Sequence, residues 1–506
     1  MVPVVVFVCA CVTVRNVRVE SIPRPAVPSD SVTIRSPVKA HLLDGSTVVY
    51  PDGARVQRDT VWGRGTHYDL TLRDSLRIDV LPLDRVVGME AFLPYRDTGQ
   101  SVLLSTLAAA GTVIGSVAIL KAIFGSCPTF YSDSTLQAEG FSYSIAPLFE
   151  ARDVDRMVLQ VGDGGRVRVE VRNEALETHF INHLELLEVR HAPDEMALPD
   201  GAHLPVLVGG LRAPARAVDR TGRSVLNDLA EGDGRIYRTA ARVLAHATVN
   251  DLDDWIELAA PRLPAAGDSV ALVFRLRNSL LNTVLLYDVM LGDPGARSLD
   301  WIGRDLQRIG PAVELGQWYR RRMGMDVAVW DGAAWHSVVR LGDTGPIAWK
   351  DVALIVPALE PDSLRIRLRF PADNWRIDRV AVGGRFRRAI PEVHPIAAVR
   401  DAGVRLDAPG LASLVAADAR YLETSPGQWF AAEFDVAPDV APAQRTFLLA
   451  SQGYYIEWVR QRWLRDPVTT RTFVPSESAL ADAIARWSVA QDSMEARFMA
   501  TRIPVR

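Results

Sequence analysis

The sequence predicts a mainly β protein: a small N-terminal β-barrel, one apolar helix, then repeated β-sandwich modules with two accessory helices. Three observations predict it. Short Val- and Thr-rich runs are separated by the turn dipeptides Asp44-Gly45 and Asp52-Gly53, the pattern of successive hairpins. A stretch without charge runs from Thr98 to Leu120. From Phe141 onward, strand-like alternation returns with internal likeness between segments, as repeated sandwich modules would give.

Size and composition bound the rest. A chain of 506 residues exceeds what one core can organise, so several units are expected. With 48% hydrophobic and 23% charged residues, it is an ordinary folded protein rather than a disordered one. The 57 basic and 61 acidic residues leave a net charge of -4, too little positive field to draw in a nucleic-acid backbone. The three cysteines, Cys9, Cys11 and Cys127, form neither a disulfide framework nor a Cys-based zinc site, and leave Cys127 as a free thiol.

In chain order, the opening "MVPVVVFVCAC" is an apolar run ending in small residues and cysteine. Residues 1–11 are read as a signal segment with Cys11 as the lipidation candidate, against a buried strand as the plain alternative. A Pro-rich linker covers 12–30. Residues 31–97 form the barrel, because closure hides the edges of so small a sheet. Gly63 and Gly65 in "WGRGTHY" lack the third glycine and following helix of a phosphate loop, and read as a glycine bulge or turn. Residues 98–125 are the apolar helix; its charge-free part would be ~35 Å long, enough for a hydrocarbon layer of ~30 Å. Gly111 and Gly115 would permit close helix packing. A helix buried between domains is the competing reading.

Four sandwich-like modules are expected at 126–212, 213–296, 324–395 and 396–470. Arg-Asn-x-x-Leu-x-Thr occurs at Arg172 to Thr178 and again at Arg277 to Thr283, each read as strand, polar bend, strand. "WIELAAPRLPAAGDSVALVFRLRN" from Trp255 resembles "WKDVALIVPALEPDSLRIRLRF" from Trp349, and the segment from Trp429 is a fainter relative. Trp255, Trp349, Trp375 and Trp429 are expected to be the buried anchors of these modules. The helical insert at 297–323 carries Leu299, Ile302, Leu306 and Ile309 at helical spacing until Pro311, expected to break or kink it. The C-terminal helix within 471–506 presents Leu480, Ile484, Trp487, Met494 and Phe498 on one face, with Ser476 or Ser478 as N-cap.

Signatures of phosphate-loop, dinucleotide, zinc-protease and serine-hydrolase chemistry are absent from the sequence. His179 and His183 would lie ~13 Å apart along a strand, too far to share an ion. Asp251, Asp253 and Asp254 gather before a strand, and Asn374, Trp375 and Asp378 in a similar loop; these six are the ligand-binding candidates. The first three could hold calcium through hard oxygen ligands, although the glycine and distal glutamate of an EF-hand are missing; a solvated turn is the plain reading, and no other cofactor is expected. No group beside Cys127 would activate it as a nucleophile, and no catalytic residue is assigned.

The segments "SCPTFYSDS", "EGFSYSIAPLFEARDVDRM" and "VRNEALETHFINHLELLEVRH" resemble a group of uncharacterised bacterial envelope proteins, many of which look like lipoproteins. In them a Cys-Pro-x-x-Tyr element follows a hydrophobic segment. The likeness implies a location in the envelope and no reaction. The resulting expectation is a non-catalytic, membrane-associated envelope protein whose sandwich modules bind a protein or glycan partner. Its rivals are a hydrolase using paired carboxylates, Asp251 with Asp254 or Glu174 with Glu177, and a structural subunit of a membrane complex.

Overall fold

The structure, a computed structural model, describes residues 15–21, 31–36, 38–42, 46–57, 59–68, 75–96, 128–132, 151–175, 177–261, 263, 268–290, 309–342, 344–360, 363–424, 427–438, 440–457, 476–500 and 505. Cys11, the apolar segment 98–125 and Cys127 lie outside these residues. Among the described residues, no helix is long and apolar enough to cross a membrane.

The N-terminal unit is an eight-stranded sheet. Its first strand, Arg15–Ser21, falls where a linker was expected and pairs with Val86–Arg96. Its concave face buries Val38, Ala40, Val48, Tyr50, Val56, Val61 and Met89 in one core. Among the described residues no pairing joins its end strands, so it is a curled sheet rather than a closed barrel. Asp52-Gly53 is a turn, with Gly53 N–H donating to Tyr50 O and φ of +90°. It does not close a hairpin: Thr47–Tyr50 and Ala54–Gln57 both line one edge of Thr60–Tyr68. The bulge expected at Gly63 and Gly65 is present, since register shifts between Trp62 and Gly65. A Cβ on either glycine would press within 3 Å of the Tyr50 ring, so the bulge needs glycine.

The expected modules 213–296 and 324–395 merge, with two strands from 126–212, into a single β-sandwich. One of its sheets runs Glu195–Pro199, Pro205–Arg212, Trp375–Arg388, Ser269–Asn278, Lys350–Pro357; the other runs Arg216–Asp219, Asp253–Pro261, Ser363–Pro371, Met325–Trp330, Trp335–Leu341. The two Trp-led repeats explain the merger. Each is a strand, a crossing between layers, and a strand. Asp253–Pro261 of the first copy pairs with Ser363–Pro371 of the second, while Ser269–Asn278 pairs with Lys350–Pro357. Each copy thus supplies the other with an antiparallel neighbour in each of the two sheets. Between the sheets lie Ile256, Leu258, Leu272, Phe274, Val327, Leu354, Ile366, Leu368, Phe370 and Trp375. Of the four tryptophans expected as anchors, only Trp375 is fully buried; Trp255, Trp349 and Trp429 are half-buried.

The modules 126–212 and 396–470 likewise share one nine-stranded sheet, ordered Ala151–Met157, Arg445–Glu457, Glu177–Arg190, Glu392–Asp401, Trp429–Asp435, Arg166–Arg172, Thr129–Ser132, with two short strands at its side. One face packs against helices. In the second Arg-Asn copy the expected strand is instead a helical turn, Leu281–Thr283, continued by a π-helix, Val284–Met290. Both asparagines are buried, and each ties its own bend to a distant segment: Asn173 donates to Glu177 O and Thr424 O, and Asn278 accepts from Thr344. The helix Ile309–Arg322 contains Pro311 in its first described turn, and the chain stays helical beyond it. The helix Glu477–Ala500 is capped by Ser476, whose Oγ accepts from Ala479 N. It buries Leu480, Ile484 and Trp487 in the core, each contributing about 1.5–3 kcal/mol, with Met494 and Phe498 packed beside them.

Candidate functional site

Strand alternation sets the site. In Ser363–Pro371, Leu364, Ile366, Leu368 and Phe370 face the sandwich core, so Arg365, Arg367 and Arg369 must project from the opposite, outer face. The register places Trp255 opposite Arg369 and Glu257 opposite Arg367 on one side, and Asp326 opposite Arg369 on the other. Trp330 and Trp335 pair at the hairpin beyond, their rings 5.4 Å apart. Guanidinium groups stack on these indoles: Arg365 lies 4.8 Å from the Trp330 centroid, and Arg367 lies 4.4 Å from Trp335 and 5.1 Å from Trp255. Glu257 holds Arg367 in place. The result is a platform of three half-buried tryptophans interleaved with arginines.

Arg369 carries the ladder to the end of the sheet, where a cleft of about 260 Å³ opens. Four arginines line it, Arg321, Arg322, Arg340 and Arg369, with Asp251, Asp253 and Glu477. Arg322 donates to Asp253 Oδ1 at 2.6 Å and to Glu477 Oε2 at 2.9 Å. Arg369 stands 3.9 Å from Asp253 Oδ2, and Arg340 3.7 Å from Asp326, too long for direct hydrogen bonds. The buried Nε of Arg340 has no hydrogen-bond partner among the described residues. Burial lowers the Arg340 pKa; Asp326 opposes this, while the like charges of Arg369 and Arg322 add to it. At the rim, Arg220 grips both oxygens of Asp251, which holds that carboxyl below its usual range.

The six ligand-binding candidates divide between this cleft and the interior. Asp251 and Asp253 line the cleft. Asp254, one residue on, points the other way: Tyr237 OH and Thr239 Oγ1 each donate to its Oδ2 at 2.6 Å, and burial raises its pKa. The three aspartates therefore do not converge on a calcium ion, and Asp251 and Asp254 do not face one pocket. Asn374 is buried, its amide donating to Met323 O. Trp375 belongs to the sandwich core. Asp378 accepts from Gly234 N and pairs with Arg275. All three are engaged in internal contacts.

Below the loop, Asp373 centres a buried network that sequence patterns do not mark. It takes both Nη atoms of Arg376, at 2.7 and 3.0 Å, and Trp487 Nε1 at 2.7 Å. Thr239 N donates to it at 3.1 Å. Glu495 approaches Arg376 at 3.3 Å from the C-terminal helix. This welds the sandwich to the helical unit.

The remaining polar candidates separate. Glu174 accepts from Thr129 and Tyr131, whereas Glu177 is fully buried 3.4 Å from His179. A bulge between Ile181 and His183 shifts the alternation. His179 therefore shares the face of core residue Ile181, and His183 takes the opposite face from core residue Leu184. Glu188, Glu392 and His394 bring ligand atoms within 4.8 Å of one another. However, Glu188 also meets Arg190 at 3.3 Å and Arg445 at 3.6 Å, so guanidinium charge already occupies the place a cation would take.

No family model and no curated protein matches the chain. Among solved structures, it is similar to the GH31 alpha-xylosidase from Xanthomonas citri at 10% identity, covering 88% of this chain and 36% of that one, with a TM-score of 0.14. A likeness at that score says nothing about fold or activity.

Proposed function

We propose that this chain is a non-catalytic, membrane-associated protein of the bacterial envelope whose β-sandwich binds a partner, a glycan or a protein, on its outer face. One observation carries the binding role. Trp255, Trp330 and Trp335 share a face with Arg365 and Arg367 and do not pack into the core. Half-exposed indoles beside fixed hydrogen-bonding groups suit a sugar ring or a peptide, because they offer apolar area and orientation together. The candidate carboxylates support binding over acid–base chemistry, since Asp251, Asp253 and Asp254 are each held by arginine, tyrosine or threonine. The envelope location rests on the resemblance of the segments around Cys127 and on the charge-free run 98–120.

A glycan array and affinity capture with the full-length chain test the binding role, beside Trp335→Ala. Retained binding should fall at least tenfold in the variant. Equal binding by both proteins removes the platform from the proposal. Labelling Cys127 with a membrane-impermeant thiol reagent in intact and lysed cells, with carbonate extraction, tests location. Release of the chain by carbonate would refute membrane integration.

A further inference from the structure

We infer that the ligand of this face is an acidic sugar, with its carboxylate seated in the arginine cleft and its chain lying along the tryptophan platform. The inference rests on the binding role proposed above and names its ligand chemistry.

Continuity is the first argument. Arg365, Arg367 and Arg369 occupy alternate positions of one strand, ~6.6 Å apart along one face. Arg367 and Arg365 stack on the indoles, and Arg369 lines the cleft. A ligand stacked on the platform and extended along this strand reaches the cleft without crossing another layer.

Charge is the second. The lining has four arginines and three carboxylates, an excess of one positive charge, which matches a monoanion. A dianionic phosphate would bring its second charge against Asp253 and Glu477. Among the described residues, Arg340 and Arg369 make only long contacts with carboxylates. Guanidinium forks suit a planar carboxylate, and an incoming one would relieve the crowding that Arg369 and Arg322 impose on Arg340.

Asp253 gives the arrangement a distinctive signature. Its two oxygens face Arg322 and Arg369, so it stands as a resident competitor for the ligand's carboxylate. Arg322 retains Glu477 if Asp253 is neutralised. Removing that charge should therefore strengthen binding, an outcome that a purely structural role for Asp253 would not produce.

The test is calorimetric titration of the full-length chain with trigalacturonate and with neutral cellotriose. Arg369→Gln should weaken trigalacturonate binding at least tenfold, and Asp253→Asn should tighten it about three- to tenfold. Neither should alter cellotriose binding. Equal affinity for the two sugars, unchanged in Arg369→Gln but lost in Trp335→Ala, overturns the acidic ligand and leaves the binding face standing. Failure of both sugars, with a protein captured through Trp335, has the same meaning. If neither sugar binds and Trp335→Ala alters no capture, the binding face falls as well.

Discussion

Asp373→Asn should destabilise the protein by about 3–5 kcal/mol, the cost of leaving a buried charge without its counter-ion. Arg376 is completely buried, and Asp373 accepts both of its Nη atoms together with Trp487 Nε1 and Thr239 N. Asparagine keeps the shape and tolerates the φ of +60° at this position. Its amide group, however, would set a donor against Arg376 or Trp487. Glu495 remains 3.3 Å from Arg376 but is partly exposed, which places the expected loss toward the lower end of that range. Arg376→Met should cost a similar amount, because it strands the Asp373 carboxylate. The double variant should cost about 2–3 kcal/mol less than the sum of the singles, since neither charge is then left alone. Guanidinium unfolding followed by tryptophan fluorescence measures all three. A loss below about 1 kcal/mol for Asp373→Asn, or strict additivity in the double variant, would refute the reasoning.

The same network separates two buried tryptophans: Trp487 Nε1 donates to Asp373, whereas Trp375 Nε1 has no partner among the described residues. Trp487→Phe should thus cost about 1.5–3 kcal/mol more than Trp375→Phe in the same unfolding assay; equal losses would count against the assigned bond. Burial pushes Asp155 up to about 6, with Lys350 at 3.0 Å opposing the rise and Asp153 adding to it. A raised folded pKa means that the folded state holds the proton more tightly, so this contribution is full below the ordinary 3.8 and is lost as pH rises through about 6. Relative to Asp155→Asn, the native protein should lose melting temperature between pH 4 and pH 7, and a flat difference would exclude the shift. Gly165 has φ of +80°, and a Cβ there would lie 2.1 Å from Val436 O, whereas Gly234, at φ of +84°, faces open space. Gly165→Ala should cost more than about 3 kcal/mol and Gly234→Ala about 1 kcal/mol, as thermal unfolding would show.

Much of the local structure was legible. The Ser476 cap, the apolar face of the C-terminal helix and the bulge at Gly63 and Gly65 each follow from short-range rules, because the interactions that decide them lie within a few residues. The likeness between the Trp255 and Trp349 segments was equally visible. Their meaning was not, because spacing alone suits two sandwiches in series as well as one sandwich of two exchanged halves. The site suffered the same limit. Asp253 and Asp254 are neighbours in sequence, yet one meets Arg322 and the other Tyr237, a separation that follows once the strand begins at Asp253 rather than after it.

By itself the sequence determined the β character, the turns, the helix faces and the repeats, all of which depend on periodicity and on local backbone preference. Only the tertiary structure decided that strands from residues 253–278 and 350–371 pair with each other. That pairing brings Trp255, Arg367 and Arg369 onto one face, and Met325–Trp330 adds Trp335 to it. The physical reason is that a strand's hydrogen-bonding edges accept any antiparallel partner of matching pattern, and burial of the whole sandwich core, not the local sequence, selects which one.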